Sequence, residues 1–208
     1  MRTRVVDRFD IERLRAALYG IGQPPAGPGW NRSQLVDLLP DSEHLSPAAV
    51  LVGIVEREVP TVLLTRRTDS LATHAGQISF PGGRIDPGDI DAIAAALREA
   101  DEEVGLGADF VSPLGYLDPF ETISAYRVLP VVALVRPGFV LRPNPDEVAE
   151  AFEAPLSLFF DHSAHRVQHI EYRGLHREIH EFEFAGHRIW GATAAMLVNL
   201  RDRLEQIR

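Results

Sequence analysis

The sequence predicts an α+β domain, arranged as a mixed α/β/α sandwich with a mixed β-sheet between helices. Two observations lead to this fold class. Short apolar runs, each the length of one strand, recur between residues 48 and 184. Two longer amphipathic patterns, at residues 91–104 and 193–207, are helical and do not alternate with every strand. Hairpins combined with a few helices are typical of a layered α+β domain and not of a βαβ repeat.

The composition excludes several classes of protein. The chain has 208 residues, no cysteine, 30 acidic and 21 basic residues, and a formal net charge of −9. Without cysteine there is no disulfide scaffold, zinc–thiolate site, iron–sulfur cluster or cysteine nucleophile. The acidic balance argues against binding to nucleic acid, which requires a basic face. An acidic protein that handles phosphates needs a divalent cation to offset both charges.

The sequence contains no signal for membrane insertion or export. Its most apolar segment, residues 128–135, has the length of a strand and contains a proline, far short of the 18 or more apolar residues of a span. The N-terminus alternates charged and apolar residues and lacks the apolar core of a signal peptide. We therefore expect a cytoplasmic protein with a small-molecule partner and no membrane partner.

The first forty or so residues predict an N-terminal extension. Residues 10–19 form an amphipathic helix that Asp10 caps and Gly20 ends. Residues 23–29 are a turn-rich connector, and residues 33–39 are suited to one or two further helical turns. We place a helical extension at residues 1–45 and the main domain at residues 46–208.

The main domain begins with a predicted antiparallel hairpin, residues 48–55 and 61–65, around a polar turn. A strand at 77–80 runs into Pro81-Gly82-Gly83, and the helix at 91–104 follows. Further strands are predicted near 111–117, 128–135 and 148–152. A late hairpin, 166–172 and 176–184, turns at Arg173-Gly174, and the helix at 193–207 closes the chain.

The helix at 91–104 carries two contrasting faces. At about 100° per residue, one face collects an apolar stripe: Ile93, Leu97, Ala100 and Val104. The opposite face collects Glu99, Glu102 and Glu103, related by i, i+3 and i+4, so that their carboxylates can converge on one volume.

A solvated acidic face is the alternative interpretation of these glutamates. Gly105 is suited to end the helix, which places Glu102 and Glu103 in its last turn. The helix dipole disfavours anions there by roughly 0.3–1 kcal/mol each. Crowded carboxylates at this end are explained better as ligands of a hard cation that prefers oxygen, Mg²⁺ or Mn²⁺.

These residues resemble the Nudix box of the Nudix hydrolases. The family pattern is Gly, five residues, Glu, seven residues, then Arg-Glu-aliphatic-X-Glu-Glu-X-Gly-aliphatic. Here five residues separate Gly83 from Asp89. The core of the motif runs from Arg98 through Glu99, Glu102 and Glu103 to Gly105-Leu106. The chain differs in having Asp89 for Glu, eight residues in place of seven, and Ala100 at an aliphatic site. We expect the extra residue, in the loop that enters the helix, to weaken any role for Asp89.

A second stretch, residues 63–83, is similar to the signature of the coenzyme A pyrophosphatase branch of this family. Arg67, Gly76, Phe80 and the pair Gly82-Gly83 match in register, whereas Thr68 replaces Ser or Ala and Ala72 stands where Arg is expected. The segment that begins at Ile189 also resembles this branch. The resemblance extends from about residue 48 to the C-terminus and does not include the extension.

The resemblance implies a Nudix fold and a metal site with Mg²⁺ or Mn²⁺ as cofactor. Glu99 and Glu103 are expected to be direct ligands. Glu102 is either a further ligand or the general base, and the sequence does not choose between these roles. Family members often take an additional acid from a late loop, for which Glu147 is the candidate catalytic residue; an ordinary loop carboxylate is the alternative.

Several other residues are expected to support this site. Gly82 and Gly83 allow the backbone to approach a phosphate closely, although a plain turn is the alternative. Arg98 is four residues before Glu102 and can pair with it and orient it. The candidates to contact phosphate are Arg66, Arg67 and Arg84.

The resemblance implies hydrolysis of the diphosphate of coenzyme A to 3′,5′-ADP and 4′-phosphopantetheine. A Nudix hydrolase of another nucleoside diphosphate, such as NADH or ADP-ribose, is one alternative. A catalytically silent module that senses a nucleotide is another.

A cluster of histidines near the C-terminus is interpreted as hairpin surface rather than as a metal site; it comprises His162, His165, His169, His176 and His180. The sequence makes no prediction of oligomeric state.

Overall fold

The computed structural model describes residues 10–39, 41, 44–69, 74–172 and 175–207. Ala72, the predicted turn at Arg173-Gly174 and the side chain of His176 lie outside the described residues. Within the described residues, no helix combines the length and the apolarity needed to cross a bilayer.

The described part of the chain contains eleven strands and four α-helices. The strands are β1 (Ser46–Val55), β2 (Thr61–Arg67), β3 (Ile78–Ser79), β4 (Gly82–Arg84), β5 (Val111–Tyr116), β6 (Phe120–Glu121), β7 (Tyr126–Val135), β8 (Val148–Pro155), β9 (Arg166–Tyr172), β10 (Leu175–Phe184) and β11 (His187–Trp190). The helices are α1 (Ile11–Ala16), α2 (Ala92–Val104), α3 (Leu156–Phe160) and α4 (Gly191–Gln206). Short 3₁₀ turns occupy Arg32–Gln34 and Ala108–Phe110.

The main sheet has eight strands and is mixed, with β1 at its centre. Strand β1 is parallel to β7 along its whole length and antiparallel to both β2 and β4. A smaller antiparallel sheet of three strands follows in the order β11-β10-β9. The α+β prediction is confirmed, and so are the first hairpin, through the pair Ile54 and Val62, and the late hairpin.

Helix α2 packs on one face of the main sheet, and α1, α3 and α4 cover the other face. The side chains of α2 that contact the sheet are small, which brings the helix close to β1 and β7. They are Ala92, Ala95, Ala96 and Ala100. The predicted stripe is confirmed in part: Ala100 and Val104 are fully buried, and Ile93 and Leu97 are partly buried against the same core. The buried side of the helix also includes Glu103, which was expected on the opposite face.

The N-terminal extension packs into the same core as the domain. Asp10 caps α1 as predicted, but the helix ends at Ala16, before Tyr19. Tyr19 instead exchanges two backbone hydrogen bonds with Tyr116 of β5, at 3.0 and 2.9 Å. Leu14 is fully buried against the residues that α4 contributes. The boundary at residue 45 remains a prediction.

Candidate active site

Two adjacent glycines bring the carboxylates of α2 against the backbone of β4. A Cβ atom on Gly83 would lie 2.4 Å from Oε1 of Glu99, so only glycine leaves room for that carboxylate. The N–H of Gly82 donates to Oε2 of Glu103 at 3.3 Å. Gly82 has φ +153°, and a Cβ there would lie 2.4 Å from the carbonyl oxygen of Ala49. Both positions therefore depend on the absence of a side chain.

Glu103 is the most deeply buried acid of this cluster, with 3% of its surface exposed. Burial raises its pKa to about 8, and the nearby carboxylates of Glu99 and Glu147 act in the same direction. The Gly82 N–H and the guanidinium of Arg67, 3.9 Å away, oppose this rise without offsetting it. The fold has thus placed a carboxylate where its negative charge is poorly compensated.

Glu99 is in a similar environment one helical turn earlier. Its pKa is raised by burial, and Glu102 and Glu147 add to the effect, whereas Arg98 opposes it. Glu147 belongs to the loop before β8 and acts electrostatically on both buried glutamates. That loop is attached to α2, because the N–H of Asn144 donates to the Glu103 carbonyl at 2.8 Å.

Glu102 is the most exposed of the three glutamates. Its side chain is 56% exposed, and its carboxylate accepts from Nη1 of Arg98 at 3.0 Å, the contact expected for an i, i+4 pair. The same Nη1 donates to Glu99 at 3.0 Å, so the carboxylates of Glu99 and Glu102 lie close together. The expectation that all three glutamates lie on the face opposite the core is wrong for Glu103, which is buried. With Glu99 in the middle of the acidic face, Glu103 turns towards the sheet and Glu102 turns away from it.

Arg98 lies in the middle of α2 and connects acids of this helix to an acid of the loop before it. It donates to Glu99 at 3.0 Å and to both carboxylate oxygens of Asp89 at 3.1 and 3.0 Å. Asp89 has only 7% of its side chain exposed. The expectation that the extra loop residue weakens the role of Asp89 is wrong. A local turn absorbs that residue, because Asp86 and Asp89 hydrogen bond to each other at 2.9 and 2.8 Å.

The three candidate arginines do not share one location. Arg67 points to the side of the sheet that carries α2, and its buried Nε has no hydrogen-bond partner among the described residues. The side chain of Arg84 is exposed on the face away from α2, because Arg84 pairs with Ala48, which packs on that face. Arg66 also points to the face away from α2, because successive strand residues alternate. It pairs there with Asp69 and Glu150, and it lines a hollow of about 340 Å³. The structure does not bring Arg66 to the glutamates.

The donor set fits a hard divalent cation. Carboxylate oxygens are the ligands that Mg²⁺ and Mn²⁺ prefer. A bound cation would also offset the negative charges of Glu103, which is buried, and Glu99, which is partly buried. Among the described residues, no three acidic or histidine side chains already form a complete ligand set. The carboxylates of Glu99 and Glu102 are held by Arg98 instead.

The histidines lie in the late hairpin and its neighbours, away from α2. Nε2 of His165 lies 3.0 Å from Nδ1 of His180, and His162 hydrogen bonds to Glu205. His169 is on exposed β9, 3.9 Å from Glu178. The contact of His169 joins the two strands of the hairpin, that of His165 joins the preceding loop to β10, and that of His162 joins the same loop to α4.

Comparison with known proteins identifies the family. Residues 45–178 match the model described as the NUDIX domain, a range that contains every candidate residue of this site. The chain belongs to the Nudix hydrolase family. It is 42% identical over 179 residues to a Photorhabdus laumondii protein named uncharacterized Nudix hydrolase NudL, across 84% of this chain and 95% of the relative. A Yersinia pestis protein of the same name is 41% identical over 157 residues, across 76% and 79% of the two chains.

Among solved structures, a Deinococcus radiodurans protein aligns with this Nudix hydrolase at a TM-score of 0.49 and 18% identity, covering 73% of this chain and 80% of that one. The family match confirms the expectation of a Nudix hydrolase from the Arg98–Leu106 motif.

Proposed function

We propose that this Nudix hydrolase cleaves the diphosphate of coenzyme A, or of a coenzyme A derivative, to 3′,5′-ADP and 4′-phosphopantetheine. The observation that carries the proposal is that Arg67, Gly82 and Gly83, which match the coenzyme A signature, lie against the glutamates of α2. Arg67 lies 3.9 Å from Glu103, and Gly82 hydrogen bonds to Glu103. Residues that resemble the coenzyme A signature, Arg67 and Gly82, therefore contact Glu103, a residue suited to metal-dependent hydrolysis.

The proposed cofactor is Mg²⁺ or Mn²⁺, held by Glu99 and Glu103 with Glu102 as a further oxygen ligand. When bound, such a cation neutralises diphosphate charge, lowers the pKa of a bound water and stabilises the charge that develops in the transition state. The buried position of Glu103 supports this assignment, because a buried carboxylate whose charge is poorly compensated is costly without a function.

The protein's own residues bind and orient the substrate. Gly82 and Gly83 allow a phosphate to approach the backbone, and Arg67 supplies a cationic donor. Arg98 orients Glu99 and Glu102 through hydrogen bonds of 3.0 Å. We assign Glu147 as the general base, because the carboxylate of Glu102 is already hydrogen bonded to Arg98. Glu102 is the alternative base.

The test is a substrate panel with Mg²⁺ or Mn²⁺ and with products identified by mass. The panel contains coenzyme A, an acyl-coenzyme A, oxidised coenzyme A, NADH and ADP-ribose. The proposal expects kcat/KM to be much higher for coenzyme A compounds than for NADH or ADP-ribose. Comparable values across the panel would contradict it, and tight binding without turnover of any compound would indicate a sensing module.

Substitutions test whether turnover depends on the glutamates of this site. Glu99→Gln and Glu103→Gln keep the size of each side chain and remove its charge, so each is expected to abolish most metal-dependent turnover. Glu147→Gln separates the candidate bases, because a lost base lowers kcat and changes its pH profile. Near-normal rates in the first two variants, at equal metal concentration, would exclude this cluster as the site.

A further inference from the structure

The loop that carries Glu147 is attached to α2 through Asn144. The N–H of Asn144 donates to the Glu103 carbonyl at 2.8 Å. The Asn144 carbonyl in turn accepts from the N–H groups of Glu147 and Val148, at 3.0 and 2.8 Å. Its side-chain oxygen accepts from the N–H of Asp146 at 3.2 Å. One end of the loop is therefore held by the helix that carries the buried glutamates.

Thr68, directly after β2, holds the same loop from the other side. Its N–H donates to the Glu147 carbonyl at 2.9 Å, and its hydroxyl donates to the Asp146 carbonyl at 3.3 Å. The residue is buried, with 8% of its surface exposed, so water competes little for these bonds. The sequence marks Thr68 only as a departure from the coenzyme A signature, because the loop that its hydroxyl contacts lies 78 positions later in the chain.

A β-bulge lies beside these contacts, at the start of β8. Arg66 pairs with Glu150, whereas Arg67 pairs with Val148. Ala149 is therefore an extra residue on β8. A bulge of this kind bends its strand and redirects the side chains next to it. Here it sets the direction in which the preceding loop leaves the sheet.

The Glu147 side chain is held among other acids. It is half-buried, and its charge contributes to the raised pKa of both Glu99 and Glu103. Because like charges repel one another, a loop that was free to move would let this carboxylate turn away to water. A general base has to stay within hydrogen-bond reach of the proton that it accepts, and a misplacement of about 1 Å is costly. The contacts of the loop with Thr68 and α2 oppose such a movement.

We propose that Thr68 is a positioning residue, which holds the Glu147 carboxylate in the place where it acts as the general base. This inference rests on the proposed function, because Glu147 is assigned as the base of that reaction. Thr68→Val keeps the branched shape and the backbone N–H and removes the hydroxyl, whereas Thr68→Ser keeps the hydroxyl. Thr193→Val is the matched control, because this buried hydroxyl also donates to a main-chain carbonyl, that of Ile78 at 2.9 Å, but belongs to α4.

The test measures kcat and KM with the compound of the substrate panel that has the highest kcat/KM. Thr68→Val is expected to lower kcat about fivefold, the value of one lost hydrogen bond, while KM stays within about twofold. Thr68→Ser should restore kcat, and Thr193→Val should leave both constants within about twofold of the unmodified protein. Because Thr68 acts through Glu147, Thr68→Val should cause no further loss when it is added to Glu147→Gln.

Any of four results overturns the proposal: an unchanged kcat in Thr68→Val, a loss that Thr68→Ser does not restore, an unchanged kcat in Glu147→Gln, or losses that multiply in the double variant. The choice of substrate separates this inference from the proposed function. If coenzyme A is the best substrate and Thr68→Val has no effect, the positioning role fails and the proposed function stands. If NADH or ADP-ribose is the best substrate and the variants behave as expected, the coenzyme A proposal fails and the positioning role stands. If no compound is cleaved, both fail.

Discussion

Arg98 and Asp89 form a two-point ion pair in which Nε and Nη2 of the guanidinium reach the two carboxylate oxygens at 3.1 and 3.0 Å. This pair leaves Nη1 of Arg98 to donate to Glu99 and Glu102, both at 3.0 Å. Asp89 thereby fixes the guanidinium from one side while the candidate metal ligands accept from the other. The pair connects the loop before α2 to the middle of the helix.

Asp89→Asn is expected to lower kcat/KM about tenfold, the usual effect of losing a partner that orients a metal ligand. The amide keeps the size of the side chain but cannot balance the guanidinium, so Arg98 competes more strongly for Glu99 and Glu102. Metal titration of the activity should show a weaker apparent metal affinity. The control is Asp101→Asn, which changes an exposed acid on the same helix. Equal activity in the two variants would contradict the role of Asp89.

Gly83→Ala is expected to damage the site more than the fold. The added methyl would lie 2.4 Å from Oε1 of Glu99, and this flexible carboxylate can move away. We expect a loss of at least about tenfold in kcat/KM and a change of less than about 1 kcal/mol in the free energy of unfolding. Gly88→Ala is the control, because a Cβ there meets nothing within 4 Å. Full activity of Gly83→Ala would show that Glu99 is not used in this position.

Glu103→Gln is expected to stabilise the protein in chelator, by about 1 kcal/mol. The side chain is buried near Glu99 and Glu147 and lies in the last turn of α2, where the helix dipole also disfavours its charge. The amide oxygen can still accept from Gly82. Added Mg²⁺ or Mn²⁺ should raise the melting temperature of the unmodified protein much more than that of the variant. Thermal melts that show a lower stability of the variant in chelator would mean that Glu103 is structural.

Asp118→Asn is expected to reduce stability at neutral pH. Burial would raise the pKa of Asp118, but hydrogen bonds from Asn199, Arg203 and Tyr19 outweigh it and lower the pKa below 3.8. The folded state therefore binds fewer protons than the unfolded state near that pH, so this contribution is complete above about pH 4 and is lost as the pH falls further.

The measurement is urea unfolding of both proteins at pH 7, 5 and 3. The unmodified protein should be more stable by about 1–3 kcal/mol at pH 7 and 5, the range for a hydrogen bond to a charged group, and this difference should shrink at pH 3. A difference that does not depend on pH would show that the charge of Asp118 is unimportant. Asp118 joins Tyr19 of the extension to α4, so the variant also reports how firmly the extension is attached.

Local features of the fold were predictable from the sequence because neighbouring residues determine them. Gly105 ends α2 with φ +67°, as expected from its place after the acidic turn. The first hairpin forms around its polar turn. The motif from Arg98 to Leu106 also indicated the family before any coordinates, because its spacing follows from the period of one helix.

The arrangement of the site was decided by the tertiary structure. Periodicity places Glu99, Glu102 and Glu103 on one side of a helix, but the rotation of that helix depends on which side chains pack closest to the sheet. The alanines of α2 pack there, so Glu103 is buried and Glu102 is exposed. The positions of Glu147 and Thr68 depend on loops and strands that are distant in the chain. The sequence by itself determined which acids are available and in which helix, whereas packing and strand pairing decided which of them meet, because both act between residues that are far apart in sequence.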